Sequence, residues 1–186
     1  AGNGAGVSAQ PVTLPLEVAA PFADNMILQR EMTVPVWGWA STGTEVTVAF
    51  AGQEKTAKAD LHGRWMVKLD PLKASAKGRA FTVTASCGES ITRTGALVGE
   101  VWFASGQSNM EWIAGKSLCG TLAGTIARSK EELPIREFYT DRGSSVFPQS
   151  RVTSEEGWKS SKEARNFSAL CLSFAWSLYE ELKVPI

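Results

Sequence analysis

A chain of 186 residues is long enough for one large domain or two small ones, each with a buried core. Lys plus Arg and Asp plus Glu stand at 19 each, so the formal net charge is zero. That balance removes any global electrostatic case for nucleic acid or an anionic membrane, leaving only local patches.

Ala1–Gln10 is a Gly/Ala/Ser/Asn stretch without a hydrophobic block, and Ala1–Pro11 reads as a flexible leader. A first residue other than Met is what removal of a signal peptide would leave, and also what trimming would leave; export to a periplasmic, secreted or lysosome-like compartment is the favoured expectation. No apolar run approaches the roughly 18–20 residues of a membrane span. From Val12 to Val98 short β-prone runs alternate with turn residues. The expected strands are Leu16–Ala20, Asn25–Gln29, Thr33–Ala40, Glu45–Phe50, Glu54–Ala59, Arg64–Leu69, Phe81–Ser86 and Ile91–Val98. Strands this short, with no helical period between them, argue a β-sandwich domain over 12–98. Pro35 puts its strand at an edge or places the proline at the strand's start, because proline cannot donate to the ladder.

After Val98 the pattern changes. An apolar strand over Glu100–Ser105 runs into the turn Gly106-Gln107-Ser108-Asn109, a helix is expected over Leu118–Lys130, and a short buried strand over Ile135–Tyr139. Thr140–Trp158 is polar and reads as a loop able to shape a site. Ser168–Leu182 is the best helix, with Leu170, Leu172, Phe174, Ala175, Leu178 and Leu182 as its apolar face and Ser168 or Asn166 as its cap. Val184-Pro185-Ile186 then starts another extended run. This is α/β grammar, and the sheet it describes is unfinished at Ile186.

The three cysteines, Cys87, Cys119 and Cys171, have neither a C-x-x-C nor a zinc-ligand spacing and permit at most one pair; three buried free cysteines fit at least as well. Seven tryptophans suit a β-rich core or a surface that stacks on sugars. At a strand end followed by a helix, Ser108 is placed as a nucleophile, and its own N–H as an oxyanion donor. A turn or capping serine has the same local appearance. A serine needs a base, and the sole histidine, His62, lies in the Leu61-His62-Gly63 turn of the first domain. Asp141 and Glu111 can orient a substrate hydroxyl or stand as ordinary solvated charge.

Gly106-Gln107-Ser108-Asn109-Met110, preceded by Val98-Gly99-Glu100-Val101-Trp102, resembles the nucleophile block of the sialate O-acetylesterase family of SGNH/GDSL hydrolases. The resemblance extends to Pro21–Arg30, Val34–Gly38, Gly63-Arg64-Trp65, Asn166–Ala169 and Leu182–Ile186. It implies a β-sandwich followed by the first part of an SGNH-type α/β (flavodoxin-like, three-layer) hydrolase domain over 99–186. It further implies a serine esterase that removes O-acetyl groups from sugars through an acetyl-Ser108 intermediate, needing no cofactor and no metal. Gln107, Asn109 and Ser168 would join Ser108 in binding the substrate and oxyanion. The family's asparagine block and its Asp-x-x-His block come later than Ile186. The chain is therefore expected to hold half of an active site, with the catalytic Asp and His on a C-terminal segment of the same precursor as a second chain. Esterase action on acetylated xylan or pectin, and a non-catalytic carbohydrate-binding module with Ser108 as a plain turn residue, are the competing readings.

Overall fold

The computed structural model describes residues 10–186. Most of the expected leader, residues 1–9, lies outside them. The chain divides into two compact units, each gathered from separate stretches: Ala1–Ala19, Pro35–Leu69 and Phe81–Thr92 in the first, Ala20–Val34, Asp70–Ala80 and Arg93–Ile186 in the second.

The first unit follows from period-2 patterning. In β4 (Glu45–Phe50) the alternation buries Val46, Val48 and Phe50 and turns Glu45 outward. β4 lies antiparallel between β5 (Gln53–Lys58) and β7 (Ser75–Ala85), in a register that sets Val46 opposite Ala85, Val48 opposite Val83 and Phe50 opposite Phe81. These cross-strand apolar pairs are the unit's packing centre. Ala51 and Gly52 close the β4–β5 hairpin with φ of 52° and 82°, the two positive values of a type I′ turn, whose twist matches the strands it joins.

A three-stranded sheet in the order β1 (Glu17–Val18), β3 (Val34–Trp39), β6 (Arg64–Leu69) completes the unit. In β6, Trp65, Val67 and Leu69 are buried between exposed Arg64, Met66 and Lys68. β3 is the central strand here, not an edge; its Pro35 is tolerated because pairing with β1 covers only Gly38 and Trp39. Gly38 is required there, since a Cβ would stand 2.0 Å from the Glu17 carbonyl oxygen.

In the second unit, β2 (Ile27–Gln29) pairs parallel with the end of β8 (Ser90–Gly99), Ile27 opposite Leu97 and Gln29 opposite Gly99. The expected strand Glu100–Ser105 does not form. Beyond Gly99 the chain has no regular structure as far as Ser105, and Val101, Trp102 and Phe103 are exposed, Phe103 at 92%. Apolar, β-prone residues make a strand only beside another backbone, and beyond Glu100, among the described residues, no backbone-to-backbone hydrogen bond joins residues 101–105 to a neighbouring segment.

The helical part comprises α1 (Gly120–Ala127), α2 (Ala169–Leu182) and 3-10 turns at Ser108–Glu111, Ala114–Lys116 and Ser161–Asn166. Its core joins Ala114, Ala123, Ile126, Ile135, Ala164, Phe167, Ala169 and Leu172. The expected single apolar face of α2 is in fact two. Leu172, Ala175, Trp176 and Tyr179, at i, i+3, i+4 and i+7, meet this core, while Leu170 and Phe174 are exposed and Trp102 packs edge-on against Phe174 with centroids 5.2 Å apart.

Pro185 and Ile186 lie between two extended segments. Ile186 donates its N–H to the Pro134 carbonyl and accepts from the Arg136 N–H, each at 2.9 Å, the skipped-residue pattern of parallel strands. On the other side the Pro185 carbonyl accepts the Glu100 N–H at 2.8 Å.

Replacing fully buried Phe81 by alanine removes the centre of the β4–β7 pairing. Urea unfolding is expected to register a loss of about 3–5 kcal/mol, as for other buried phenylalanines. A loss below about 1 kcal/mol would contradict the placement of the core.

Candidate active site

The site is anchored at both ends of the segment that carries Ser108. At its start, the Val101 N–H donates to Gln29 Oε1 at 2.8 Å, Gln29 Nε2 donates to Glu100 Oε2 at 3.3 Å, and Arg30 Nε meets Glu100 Oε1 at 2.6 Å. The bond from Arg30, outweighing burial, holds the Glu100 carboxyl below its ordinary range. At its end, the Trp112 carbonyl accepts the Ala169 N–H at 2.7 Å and the Ala114 N–H donates to the Phe167 carbonyl at 2.8 Å. Between these ties, Gly106–Asn109 is solvent-exposed.

Ser108 opens the 3-10 turn Ser108–Glu111, which Gln107 precedes in an extended conformation and closes with its carbonyl, accepting the Met110 N–H at 2.9 Å. Among the described residues, no hydrogen bond holds the Ser108 hydroxyl. Gln107 and Asn109 flank it, exposed. Ser168 is the N-cap of α2, its hydroxyl accepting from the Cys171 N–H at 3.4 Å. Its backbone N–H donates to Glu137 Oε1 at 2.8 Å, so a carboxylate occupies the donor that the sequence offers to an oxyanion.

His62 lies in the first unit and Ser108 in the second. The His62 N–H donates to Asp60 Oδ1 at 2.8 Å in a surface turn. Asp141 closes its own loop, donating its N–H to Thr153 and accepting the Glu155 N–H at 3.1 Å. Glu111 forms an ion pair with Arg142.

Beside the Ser108 turn is a recess of about 190 Å³, lined by Met110, Glu111, Ile113, Glu137, Tyr139, Arg142, Glu156, Lys159, Asn166 and Ser168. β9 (Glu137–Phe138) and β10 (Trp158–Lys159) build its floor as an antiparallel pair, with Glu137 opposite Lys159 and Phe138 opposite Trp158. The Phe138 and Trp158 rings pack tilted at 45° with centroids 5.4 Å apart, and Trp158 Nε1 donates to the Pro21 carbonyl at 2.8 Å. Alternation then commits Glu137 and Lys159 to the other face of the ribbon.

Burial pushes the Glu137 carboxyl up, against the lowering pull of the Ser168 N–H and Lys159. Burial likewise raises the Cys171 thiol. Cys87, Cys119 and Cys171 are all unpaired, and Cys87 is exposed. Among the described residues no cluster of three His, Cys, Asp or Glu has the arrangement to hold a metal, and no helix is long and apolar enough to cross a membrane.

Sequence reasoning missed Glu137, Arg142, Glu156 and Lys159. A signal existed for the first: Ile135-Arg136-Glu137-Phe138-Tyr139 carries two charges inside an otherwise apolar run. Arg142 and Glu156 lie in a polar loop and Lys159 on the short strand that ends it, where nothing marks one charge above another.

No family model matches the chain. Whole-protein relatives do. It is 33% identical over 191 residues to human sialate O-acetylesterase and 30% identical over 197 residues to the mouse enzyme, matching 90% of this chain in both. A solved carbohydrate acetylesterase from Xanthomonas citri superposes with a TM-score of 0.82 at 34% identity, covering 91% of this chain. The chain spans 35% of the human protein, 34% of the mouse protein and 38% of the Xanthomonas chain, little more than a third of each.

The Glu137 carboxyl leaves a pH signature. Because folding favours its neutral form, the folded protein keeps this proton to a higher pH than the unfolded chain. Its contribution to stability therefore falls as pH rises from the ordinary glutamate range, about 4.3, through the raised folded value. Glu137→Gln carries no such proton, so its Tm relative to the parent is expected to climb as pH rises from the ordinary glutamate range, about 4.3, towards neutrality. A Tm difference that is flat across that range would contradict a buried, proton-favouring Glu137.

Proposed function

The chain belongs to the sialate O-acetylesterase family, and we propose that it carries the nucleophile half of a serine esterase that removes O-acetyl groups from sugars. The observation that carries this reading is Ser108 itself: an exposed hydroxyl at the first residue of a 3-10 turn, on a segment tied down at both ends and bordering a polar recess. The domain layout proposed with it is a β-sandwich over 12–98 and the first part of an SGNH-type α/β domain over 99–186.

Ser108 Oγ attacks the acetyl carbonyl carbon as its proton passes to a base. The tetrahedral intermediate collapses, the ester C–O bond breaks, and the sugar oxygen leaves with a proton. Water then adds to acetyl-Ser108 and releases acetate, returning the proton to the serine. The oxyanion lies against backbone N–H groups of the Ser108 turn and the side chains of Gln107 and Asn109. The Ser168 N–H joins them only when Glu137 gives it up.

The base and its orienting carboxylate come from further polypeptide of the same precursor, held as a second chain. Support comes from the threefold greater length of the relatives and from two features of the second unit. Val101–Phe103 is apolar and exposed, and its Trp102 packs on Phe174 of α2, where Leu170 is also exposed. Both suit a neighbouring strand and helix. Export is proposed as part of the same reading. The Xanthomonas relative, described as a carbohydrate acetylesterase, supports a second reading in which the acetylated sugar is not sialate.

In the complete assembly, a fluorophosphonate probe is expected to label Ser108. Ser108→Ala should abolish labelling and lower 4-nitrophenyl acetate turnover by about three orders of magnitude or more. Labelling that persists in Ser108→Ala would place the nucleophile elsewhere. Intact mass analysis of protein isolated from its source should find a second polypeptide with this one. A stable, monomeric 20.0 kDa species alone would contradict the two-chain reading.

A further inference from the structure

The recess beside the Ser108 turn is lined by two cations that differ in availability. Lys159 is closed in: its side chain is 11% exposed, and its Nζ lies 2.5 Å from Glu156 Oε2 and 5.7 Å from the centre of the Tyr139 ring. Arg142 is open. Its side chain is 70% exposed and pairs with Glu111 through Nη2, and its guanidinium is hydrogen-bonded to the Tyr139 side chain. A guanidinium carries five N–H donors in a rigid planar fork. These two partners leave most of that fork uncommitted, on the wall of a cavity. An exposed ion pair adds little to stability, so tying the loop to the turn is a small part of what Arg142 can do. The carboxylates of the lining offer little opposition to an anion. Glu156 is engaged by Lys159 and Glu111 by Arg142, and burial disfavours the charged form of Glu137.

We propose that Arg142 is a specificity residue of the esterase, whose open guanidinium receives the carboxylate of an O-acetylated acidic sugar while the Ser108 turn meets the ester. This deepens the esterase reading above and rests on it. A planar fork matches the two oxygens of a carboxylate, and hydrogen bonds between two ionised groups are roughly twice as strong as neutral ones. A sugar without the carboxylate leaves the fork to water and gains nothing from it. Met110, Ile113 and Tyr139 provide apolar surface for the C–H face of a ring. The volume of about 190 Å³ suits a single residue of a glycan, not a chain.

The link to chemistry is the turn Ser108–Glu111. Its first residue is the nucleophile, and its last, Glu111, is the ion-pair partner of Arg142. A 3-10 helix rises about 2 Å per residue, so the three steps of this turn set Ser108 and Glu111 about 6 Å apart along its axis. The charge anchor is thereby tethered to the nucleophile at an offset, which suits a sugar whose ester and carboxylate stand on different carbons. Tyr139 fixes the fork from the ribbon side, through the strand end after β9, while Glu111 fixes it from the turn. Arg142 reads the ring and takes no proton from the reacting ester.

The decisive comparison uses the complete assembly and two substrates, 9-O-acetyl-N-acetylneuraminic acid and the methyl ester of its carboxyl group, which masks the charge. The kcat/KM of the acid is expected to exceed that of the ester by about tenfold, the scale of one charge-assisted hydrogen bond, with the difference carried mainly by KM. In Arg142→Gln the acid-to-ester ratio should fall close to one. Arg142→Lys keeps a point charge without the fork and should retain part of the preference. Should these variants fold poorly, added salt should shrink the same ratio in the unsubstituted protein, since screening weakens an exposed charge contact. A ratio of one or less in the parent, or a ratio that survives Arg142→Gln, would overturn the assignment and leave the esterase standing. So would labelling of Ser108 by the fluorophosphonate probe with neither substrate hydrolysed. If neither is hydrolysed and Ser108 takes no probe, the esterase reading itself falls, and this inference with it.

Discussion

The second unit depends on how closely two backbones approach at the end of β8. A Cβ on Gly99 would stand 2.0 Å from the Pro185 carbonyl oxygen, so only glycine lets the Pro185–Ile186 segment lie alongside. That contact is framed by two backbone bonds of 2.8 Å, from Glu100 N–H to the Pro185 carbonyl and from Arg30 N–H to the Gly99 carbonyl. The chain therefore leaves β8 in a fixed direction, with the side chains of Gln29, Arg30 and Glu100 bracing the exit. Ser108 follows within ten residues. The turn carrying Ser108 is free to be exposed because its two ends are not.

The same logic holds on the far side of the turn. Ala169 N–H and Phe167 carbonyl bind the chain at Trp112 and Ala114, and Phe167 is 1% exposed in the core. The cap of α2 and the wall of the recess are thus one structure. Ser168 begins the helix with its hydroxyl and holds Glu137 with its N–H. A carboxylate at a helix N-terminus is electrostatically favoured, which offsets part of the cost of burying Glu137.

Much of this was legible in the residues. Glu45-Val46-Thr47-Val48-Ala49-Phe50 announces a strand with one buried face, and the face is the one observed, because period-2 alternation leaves no second solution. The helix expected over Ser168–Leu182 is observed over Ala169–Leu182 with Ser168 as its cap. What failed is instructive. Val101-Trp102-Phe103-Ala104 has strand composition, yet propensity describes a surface that fits a sheet and cannot supply the neighbouring strand. The two apolar faces of α2 were read as one, because 3.6-residue periodicity marks positions without saying which neighbours fill them. The recess was illegible for a different reason. Its charges come from Glu111, Glu137, Arg142, Glu156 and Lys159, and only the β9–β10 pairing brings the strand and loop members together.

The central claim is that Ser108 becomes acylated during turnover. The most direct measurement is acid-quenched proteolysis and mass spectrometry of the complete assembly while it consumes an O-acetylated sugar. The account predicts an acetyl group on the peptide carrying Ser108, absent from the unreacted protein and from the protein after substrate is exhausted. Steady turnover with that peptide unmodified, or with the acetyl group on another residue, would contradict it.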